Sequence, residues 1–245
     1  MKQTVFTIQR TRPLTADVYE MTLRGDASSI TAPGQFVNAA LPGRFLRRPI
    51  SVCDWTADSL LLLVRVAGEG TRELVSFAPG TELDVLCGLG NGFDTADCGP
   101  NPILIGGGVG AAPLFGLARR LLAQGVVPTA ALGFRTAADA FYLDEFAALG
   151  CRVLPATEDG SLGCRGFVTD AARSVPECTR AFVCGPTPML RAVSALPQLQ
   201  DGQFSFEARM ACGFGACMGC TIETAGGPRR VCKDGPVFRK EELAW

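Results

Sequence analysis

Four cysteines near the end of the sequence have the spacing of an iron–sulfur site. Cys212, Cys217 and Cys220 form a C-x4-C-x2-C pattern among glycines, and Cys232 follows after eleven further residues. Glycine-containing loops let several thiolates converge while backbone N–H groups turn toward the sulfurs, as a [2Fe–2S] cluster requires. The pattern therefore predicts a [2Fe–2S] cluster held by these four cysteines.

A zinc site and a set of free thiols fit these cysteines less well. A structural zinc site usually takes its thiolates from two separated C-x2-C hairpins, and the cysteines here are not separated in that way. Buried free thiols are the second alternative, but four of the eleven cysteines fall within 21 residues among glycines and charges. The chain has no histidine, which excludes a Rieske centre, a mixed Cys/His zinc site and a histidine-based triad.

Composition favours a globular protein without a nucleic-acid or membrane partner. The 245 residues are enough for two domains and a small appendage. The 23 basic and 24 acidic residues leave no basic surface for nucleic acid. No apolar run is long enough to span a bilayer, and residues 1–6 lack a signal-peptide core. Because eleven cysteines cannot all pair in disulfides, we expect a reducing cytoplasm.

The pattern of the chain changes twice, and it predicts a multi-domain fold. Residues 1–98 contain short alternating apolar runs between Gly and Pro turns, which indicates an antiparallel β-barrel. Residues 99–203 alternate strand and helix patterns, which indicates an α/β domain with a parallel sheet. Residues 204–245 contain the four closely spaced cysteines and form a small third domain.

Two segments of the predicted barrel have groups suited to a phosphate-containing ligand. Pro49 falls inside a predicted strand, which confines it to an edge or a bulge and leaves backbone groups free for a ligand. Arg48 is placed for a phosphate and the Ser51 hydroxyl for a ring heteroatom. Gly70 and Thr71 belong to a glycine turn that opens a short helix, with Thr71 as its N-cap, and such a turn can bind an anion. An ordinary strand with surface arginines, and an ordinary turn, are the alternatives.

A glycine run in the second domain follows a short buried strand and precedes an apolar helix. It contains a G-x-G-x-x-P variant of the dinucleotide-binding fingerprint, in the structural context that the fingerprint requires. The glycines allow a pyrophosphate to approach the backbone, and proline suits a first helical turn. A purely structural turn is the alternative. The predicted nucleotide-binding residues are Gly106, Gly107, Gly108, Val109, Gly110 and Pro113.

Three further segments follow strands of the same predicted sheet, at the edge where ligands bind. Arg135 could contact a 2′-phosphate, but one arginine does not decide between NAD and NADP. Asp159 lies in an acidic turn that could bond a ribose, or is simply solvated. Cys184, with Gly185 and Pro186, ends another strand and could face a nicotinamide; a small buried strand-end residue is the alternative.

Taken together, these motifs resemble those of a known family. The chain is similar to the ferredoxin–NADP reductase superfamily and, within it, to the electron transfer subunits of dihydroorotate dehydrogenase B. The resemblance covers essentially the whole chain, and the cysteine block is its most specific part. It rests on Arg48-Pro-Ile-Ser51, Gly70-Thr71, the glycine loop that ends at Pro113, Thr157-x-Asp159-Gly-Ser161, Cys184-Gly-Pro186, Cys212-Gly-x-Gly-x-Cys217-x-Gly-Cys220 and Val231-Cys232-Lys-Asp-Gly-Pro-Val-Phe238.

The resemblance implies three cofactors and a partner. FAD would lie in the barrel, NAD would be the acceptor, and a separate FMN-containing catalytic subunit would oxidise dihydroorotate, in a heterotetramer with two copies of each chain. Electrons would pass from FMN through the [2Fe–2S] cluster to FAD and leave as hydride to NAD+, in pyrimidine (UMP) biosynthesis. The residues implied for FAD are Arg48, Pro49, Ile50, Ser51, Gly70 and Thr71, with Leu63, Val64 and Arg65 lining it.

The chemistry agrees with this order of cofactors, because hydride transfer moves two electrons and a cluster carries one, so a flavin must stand between them. We expect the cysteine loop and part of the C-terminal tail, including Phe238, to form the surface that docks the partner. Two alternative functions stay open. One is a ferredoxin–NADP reductase-like subunit of a hydrogenase or bifurcating complex, and the second is a binding module with a structural four-cysteine zinc site.

Overall fold

The N-terminal part of the chain closes into a six-stranded antiparallel barrel. The computed structural model of the protein describes residues 1–96, 98–178 and 180–245. Alternate side chains of each barrel strand enter a shared core, as the period-two pattern predicts. The strands are β1 (Lys2–Pro13), β2 (Val18–Arg24), β3 (Phe36–Ala39), β4 (Arg48–Trp55), β5 (Ser59–Arg65) and β6 (Glu82–Leu89), and they close in the order β1-β2-β5-β4-β3-β6.

One short helix, α1 (Glu69–Ser76), connects β5 to β6. Its buried Leu74 packs into the barrel core, while the charged residues of the helix face outward. The helix therefore covers one end of the barrel and places its N-terminus directly after β5.

The ladder between β4 and β5 is incomplete. These strands pair from Val52 to Trp55 of β4, with a bulge after Val52. Among the described residues, Arg48 to Ser51 have ladder partners only on β3, and Leu63 to Arg65 only on β2. Two strand segments thus face each other across an opening with free backbone groups. This is the free edge that Pro49 predicts, since proline cannot donate to a ladder.

The second part alternates strands and helices and forms a parallel sheet. Short apolar strands alternate with helices whose apolar faces cover the sheet, as the sequence predicts. The elements are β7 (Pro102–Gly107), α2 (Ala111–Ala123), β8 (Thr129–Phe134), α3 (Leu143–Leu149), β9 (Arg152–Thr157), β10 (Cys164–Arg165), α4 (Val168–Arg173), β11 (Arg180–Cys184), α5 (Thr187–Ser194) and β12 (Asp201–Ser205).

The C-terminal part is attached to this sheet. A hairpin of β13 (Thr221–Thr224) and β14 (Gly227–Arg230) precedes β15 (Val237–Arg239), which pairs antiparallel with β12. The sheet order is therefore β10-β9-β8-β7-β11-β12-β15. The fold class predicted from the sequence is confirmed, with one antiparallel edge strand added. The domain boundaries at 98/99 and 203/204 stay predictions, and β12 runs across the second. In the part of the chain that the structure describes, no helix is long and apolar enough to cross a membrane.

Helix α2 packs directly on β4 and joins the two large parts. A Cβ atom on Gly116 would lie 2.6 Å from the carbonyl oxygen of Cys53, so only glycine allows this approach. One turn later, Arg119 forms an ion pair with Asp54 and donates to the Trp55 carbonyl oxygen at 2.9 Å. A single helix thus runs from the glycine loop to the strand with the free edge.

A half-buried hydrogen-bond network forms a second contact between barrel and sheet. The Tyr142 hydroxyl donates to Glu20 at 2.8 Å, and Glu20 also accepts two bonds of 2.7 Å from Arg12. Tyr142 is buried and has a φ of 64°, a conformation that costs free energy outside glycine. Burial, the nearby Cys53 thiol and Glu20 raise the pKa of Tyr142, so its hydroxyl stays a donor. The network therefore fixes how the two parts are oriented.

We expect Tyr142→Phe to lower the free energy of unfolding by about 1–2 kcal/mol, because it removes a hydrogen bond to a charged acceptor. Chemical denaturation of the purified protein measures this. The matched control is Tyr19→Phe, since the Tyr19 hydroxyl has no hydrogen bond to any residue within 1–96, 98–178 and 180–245. Equal stability of the two variants would contradict a role for the network.

Candidate functional site

The cysteine loop wraps around its own thiols. Left-handed backbone at Gly213 (φ 76°), Gly215 (φ 95°) and Met218 (φ 61°) turns the chain repeatedly between the first and third cysteines. The hairpin of β13 and β14 then returns the chain to the fourth. Cys220 and Cys232 are buried, Cys212 is half-buried and Cys217 is exposed. The loop thus spans from the protein core to the surface.

Backbone N–H groups surround the thiols, as an iron–sulfur site requires. Burial raises the pKa of Cys212, but N–H groups of Phe214, Cys217 and Ala216 outweigh it and lower the pKa to about 6. The N–H of Cys232 donates to Cys220 Sγ at 3.4 Å. Burial and the neighbouring Cys220 raise the pKa of Cys232 to about 12. The thiols are therefore close enough to shift one another's pKa, and the loop favours a thiolate at Cys212.

The surroundings of the thiols fit a [2Fe–2S] cluster, because several N–H donors point at sulfur atoms and the loop has the glycines for such turns. Arg230 holds the loop in place by donating to the Gly215 carbonyl oxygen at 3.0 Å while it pairs with Asp234 at 3.0 Å. No three thiol or carboxylate side chains of the described residues form a ready site for a single metal ion. The assignment of the four cysteines to the cluster stays a prediction.

One sequence prediction about the docking surface is wrong. Phe238 is 2% exposed and packs edge-on against Phe206, with ring centroids 5.7 Å apart. It lies in the core because β15 is an edge strand of the large sheet, with one face against the sheet's apolar layer. The exposed apolar side chains of the cysteine loop are Phe214 and Met218, at 44% and 54%.

The residues that the resemblance assigns to FAD lie at the barrel opening. Only some of them present a side chain to a ligand there. Ile50 and Val64 are buried in the barrel core, so they present only backbone to a ligand. Pro49 and Ser51 point outward and are partly exposed. The side chain of Leu63 packs under the parallel sheet. Backbone groups and a few polar atoms therefore form most of this surface.

The start of α1 lies against this opening. A Cβ on Gly70 would come within 2.0 Å of Arg48 Nε, so glycine makes room for the guanidinium. The prediction that Thr71 is the N-cap is wrong, because α1 begins at Glu69 with Gly68 as its N-cap. The Thr71 hydroxyl instead accepts the Gly68 N–H at 3.2 Å, which closes the first turn from inside the helix.

A cleft of about 580 Å³ lies between barrel and sheet, at the carboxyl edge of the parallel strands. Gly107, Gly108, Val109 and Pro186 line it, together with Arg65 from the barrel. Five further predicted nucleotide-binding residues are buried behind its wall and shape it. They are Gly106, Gly110, Pro113, Cys184 and Gly185.

Gly110 shows how tightly this wall is built. A Cβ there would lie 2.2 Å from the carbonyl oxygen of Cys184, so α2 begins in backbone contact with the end of β11. Gly108 has a left-handed φ of 52°, which lets the loop turn from strand into helix. These glycines therefore let α2 pack closely on β11, and their role in pyrophosphate binding stays a prediction.

Sequence reasoning missed Glu207, which lines the cleft. It lies two residues after the end of β12, so its place after a parallel strand is the signal that could have found it. Burial between the walls of the cleft raises the pKa of Glu207, although its side chain remains in contact with solvent. The positive charge of Arg65 partly offsets this shift. Burial, and then Glu207, raise the pKa of Cys184, whose thiol stays protonated beside Ser205.

The acidic turn is arranged differently from the prediction. Asp159 Oδ1 accepts hydrogen bonds from the Ser161 N–H at 3.0 Å and from its hydroxyl at 2.6 Å, which lowers the pKa of Asp159. Glu158, and not Asp159, lines the cleft. Arg135 also lines the cleft and forms an ion pair with Asp139 at 3.1 Å. Arg135, which the sequence suggested as a partner of a 2′-phosphate, is therefore already paired with a carboxylate.

Comparisons with known proteins identify the family. Residues 207–244 match the iron–sulfur cluster binding domain of dihydroorotate dehydrogenase B, and residues 104–195 match the oxidoreductase NAD-binding domain. The "dihydroorotate dehydrogenase B (NAD(+)), electron transfer subunit" of Listeria monocytogenes serotype 4a (strain HCC23) is 42% identical, over 100% of each chain. The chain belongs to the family of dihydroorotate dehydrogenase B electron transfer subunits. The protein of the same name from Geobacillus sp. (strain WCH70) is 40% identical over 99% of each chain.

Solved structures agree with this family in fold. The structure of an NADH-dependent reduced ferredoxin–NADP oxidoreductase superposes with a TM-score of 0.89 and 30% identity, over 98% of this chain and 90% of that chain. A ferredoxin–NADP+ reductase from Neisseria gonorrhoeae has a TM-score of 0.66 and 19% identity, over 79% and 89%, and shows the fold alone. The resemblance recognised in the sequence is confirmed. The chain is an oxidoreductase subunit with a nicotinamide-binding and an iron–sulfur domain.

We expect Gly110→Ala to weaken NADH binding at least 10-fold, because the added methyl group must push the start of α2 away from β11. Isothermal titration of the dithionite-reduced protein with NADH measures the loss, because NADH then has no oxidised flavin to reduce. Gly226→Ala is the matched control, since its nearest neighbours would lie 3.9 Å away, and it should bind NADH as the unchanged protein does. Unchanged binding by Gly110→Ala would contradict the role of the loop.

Proposed function

We propose that this chain is the electron transfer subunit of an NAD-dependent dihydroorotate dehydrogenase of pyrimidine biosynthesis. It takes electrons from the FMN of a catalytic subunit and delivers them to NAD+ through [2Fe–2S] and FAD. The observation that supports this most is the position of the barrel opening, between the cysteine loop and the nucleotide cleft. The proposal includes a cytoplasmic heterotetramer with two copies of each subunit.

Each cofactor has a chemical task that matches its proposed place. When bound, the cluster supplies one-electron transfer, and the flavin converts between single electrons and a hydride. The chain itself binds and orients the cofactors and excludes water from them. It needs no acid–base residue for the electron transfer. A sequence without histidine is therefore no obstacle to this activity.

The opening between β4 and β5 is the proposed flavin site. Arg48, placed beside Gly70 at the start of α1, binds the pyrophosphate together with the N–H groups of that helix terminus. The Ser51 hydroxyl bonds a polar atom of the ring. Ile50 and Val64 contribute backbone N–H and C=O groups, since their side chains fill the barrel core. Arg65 closes the side that faces the cleft.

The cleft is the proposed nicotinamide site. Its glycine loop receives the pyrophosphate, and Glu158 takes the ribose-binding role that the sequence suggested for Asp159. Glu207 lies at the end where the nicotinamide meets the flavin, and the buried Cys184 thiol lies behind the wall there. Because Asp139 already neutralises Arg135, a 2′-phosphate would meet a carboxylate there. This arrangement favours NAD over NADP.

The exposed part of the cysteine loop is the proposed docking surface for the catalytic subunit. Phe214 and Met218 project from it beside Cys217, the exposed thiol of the set. Exposed Phe and Met side chains are typical of protein interfaces. A one-electron carrier must also approach its partner closely, which this position allows.

Visible spectroscopy tests the function directly. The purified protein should show flavin bands and a broad iron–sulfur shoulder, and NADH without oxygen should bleach both more rapidly than NADPH. With the catalytic subunit added, it should couple dihydroorotate oxidation to NAD+ reduction. Preference for NADPH would favour a reductase subunit of another complex. A colourless protein that contains zinc would exclude electron transfer.

We expect Asp139→Ala to improve the use of NADPH about 10-fold relative to NADH, because it frees Arg135 for the 2′-phosphate. The measurement is kcat/KM for flavin reduction by each nucleotide. Glu177→Ala is the control, since it removes another exposed arginine–carboxylate pair, with Arg152, whose residues do not line the cleft. An unchanged ratio would show that Arg135 does not set the preference.

We expect Phe214→Asp to weaken binding of the catalytic subunit at least 10-fold, because it places a charge in a desolvated interface. Analytical ultracentrifugation of the two purified subunits measures the change. Val127→Asp is the control, because Val127 is exposed before β8, at the opposite edge of the sheet. Equal binding of both variants would place the docking surface elsewhere.

A further inference from the structure

Asn38 is a buried amide between two parts of the proposed electron path. It is 1% exposed and lies in β3, where it pairs with Pro49 of β4. Its neighbours Val37 and Ala39 face the barrel core, so Asn38 points outward, to the side of Pro49. This is the outer face of the strand pair that borders the opening.

The same side chain touches the first cysteine of the loop. Asn38 Nδ2 donates to the carbonyl oxygen of Cys212 at 3.2 Å. A Cβ on Gly213 would lie 2.5 Å from Asn38 Nδ2, so the loop can take this position only with glycine there. The amide and the loop are therefore fitted to each other in both hydrogen bonding and shape.

The second polar atom of the amide has no partner. Asn38 Oδ1 is buried and accepts no hydrogen bond from any described residue. A buried acceptor left without a donor costs free energy, so packing alone is a poor reason for an asparagine here. Leucine would fill the same space without that cost. The residue type therefore points to a role for the amide itself.

We propose that Asn38 is a positioning residue that holds the cluster loop at a fixed place against the flavin strand. This inference rests on the proposed function. The backbone of Asn38 belongs to the ladder with β4, and its amide fixes the peptide that follows Cys212. That peptide begins the turn, left-handed at Gly213 and Gly215, that brings backbone N–H groups toward the Cys212 sulfur. Movement of the peptide changes the hydrogen bonds to the sulfur, which tune the potential of an iron–sulfur cluster.

Two variants of Asn38 test this role. Asn38→Asp keeps the shape of the side chain but turns a carboxylate oxygen toward the Cys212 carbonyl oxygen, and Asn38→Leu removes both polar atoms. We expect both to change the electron paramagnetic resonance spectrum and the reduction potential of the dithionite-reduced cluster. We expect the rate of cluster reduction by NADH to fall about 10-fold, as is usual when an outer partner of a metal ligand is lost.

The control separates positioning from stability. Gln35 is also buried in the barrel, where it accepts the Thr31 N–H at 2.8 Å and donates to the Gly90 carbonyl oxygen at 3.0 Å. Gln35→Leu should lower the melting temperature and leave the spectrum, potential and rate unchanged. If both Asn38 variants keep the spectrum and potential of the unchanged protein, or if Gln35→Leu alters them equally, the inference is overturned.

The outcomes also distinguish this inference from the proposed function. Dithionite reduces the cluster without the flavin, so the spectrum and potential test Asn38 even if NADH fails to reduce the unchanged protein. That failure alone would contradict the proposed electron path. If Asn38→Leu does not fold, Asn38→Asp still decides, because it preserves the size of the side chain.

Discussion

The contact of α2 with β4 is the constraint on which the rest of the structure depends. The helix begins at the glycine loop of the nucleotide cleft and packs on the strand that borders the barrel opening. Because helix and strand are rigid and meet without side chains at Gly116, the two binding surfaces keep a fixed separation. Hydride transfer needs such a fixed approach, since reacting atoms must lie within about 3–3.5 Å of each other.

Strands β3 and β4 also fix the position of the cysteine loop. β3 lies next to β4, and its outward face meets the C-terminal part through Phe36 and Asn38. Phe36 shares an apolar core with Cys220 and Cys232, while Asn38 contacts Cys212. The cleft, the opening and the loop are thus arranged around two neighbouring strands. The approach of α2 at Gly116 and that of the loop at Gly213 both require a glycine.

Local sequence patterns predicted the cofactor chemistry, but they could not predict contacts between residues that are far apart in the sequence. The cysteine spacing and the glycine loop could be recognised because their function depends on residues close in sequence. Asn38 and Cys212 are 174 positions apart, and Tyr142 and Glu20 are 122 apart, so no periodicity reveals these pairs. Phe238 was misplaced for a related reason. A strand of three residues is too short to show which face is buried.

The cysteine loop gains its rigidity from the sheet and not from a core of its own. β15 extends the sheet beside β12, and Phe206 and Phe238 pack behind it. A tail of this length buries little apolar surface by itself, and such short chains usually need a metal centre or another stabilising contact. Attachment to the sheet resolves that problem, and it leaves one side of the loop exposed. A one-electron carrier needs both properties, because its ligands must stay fixed while its surface meets a partner.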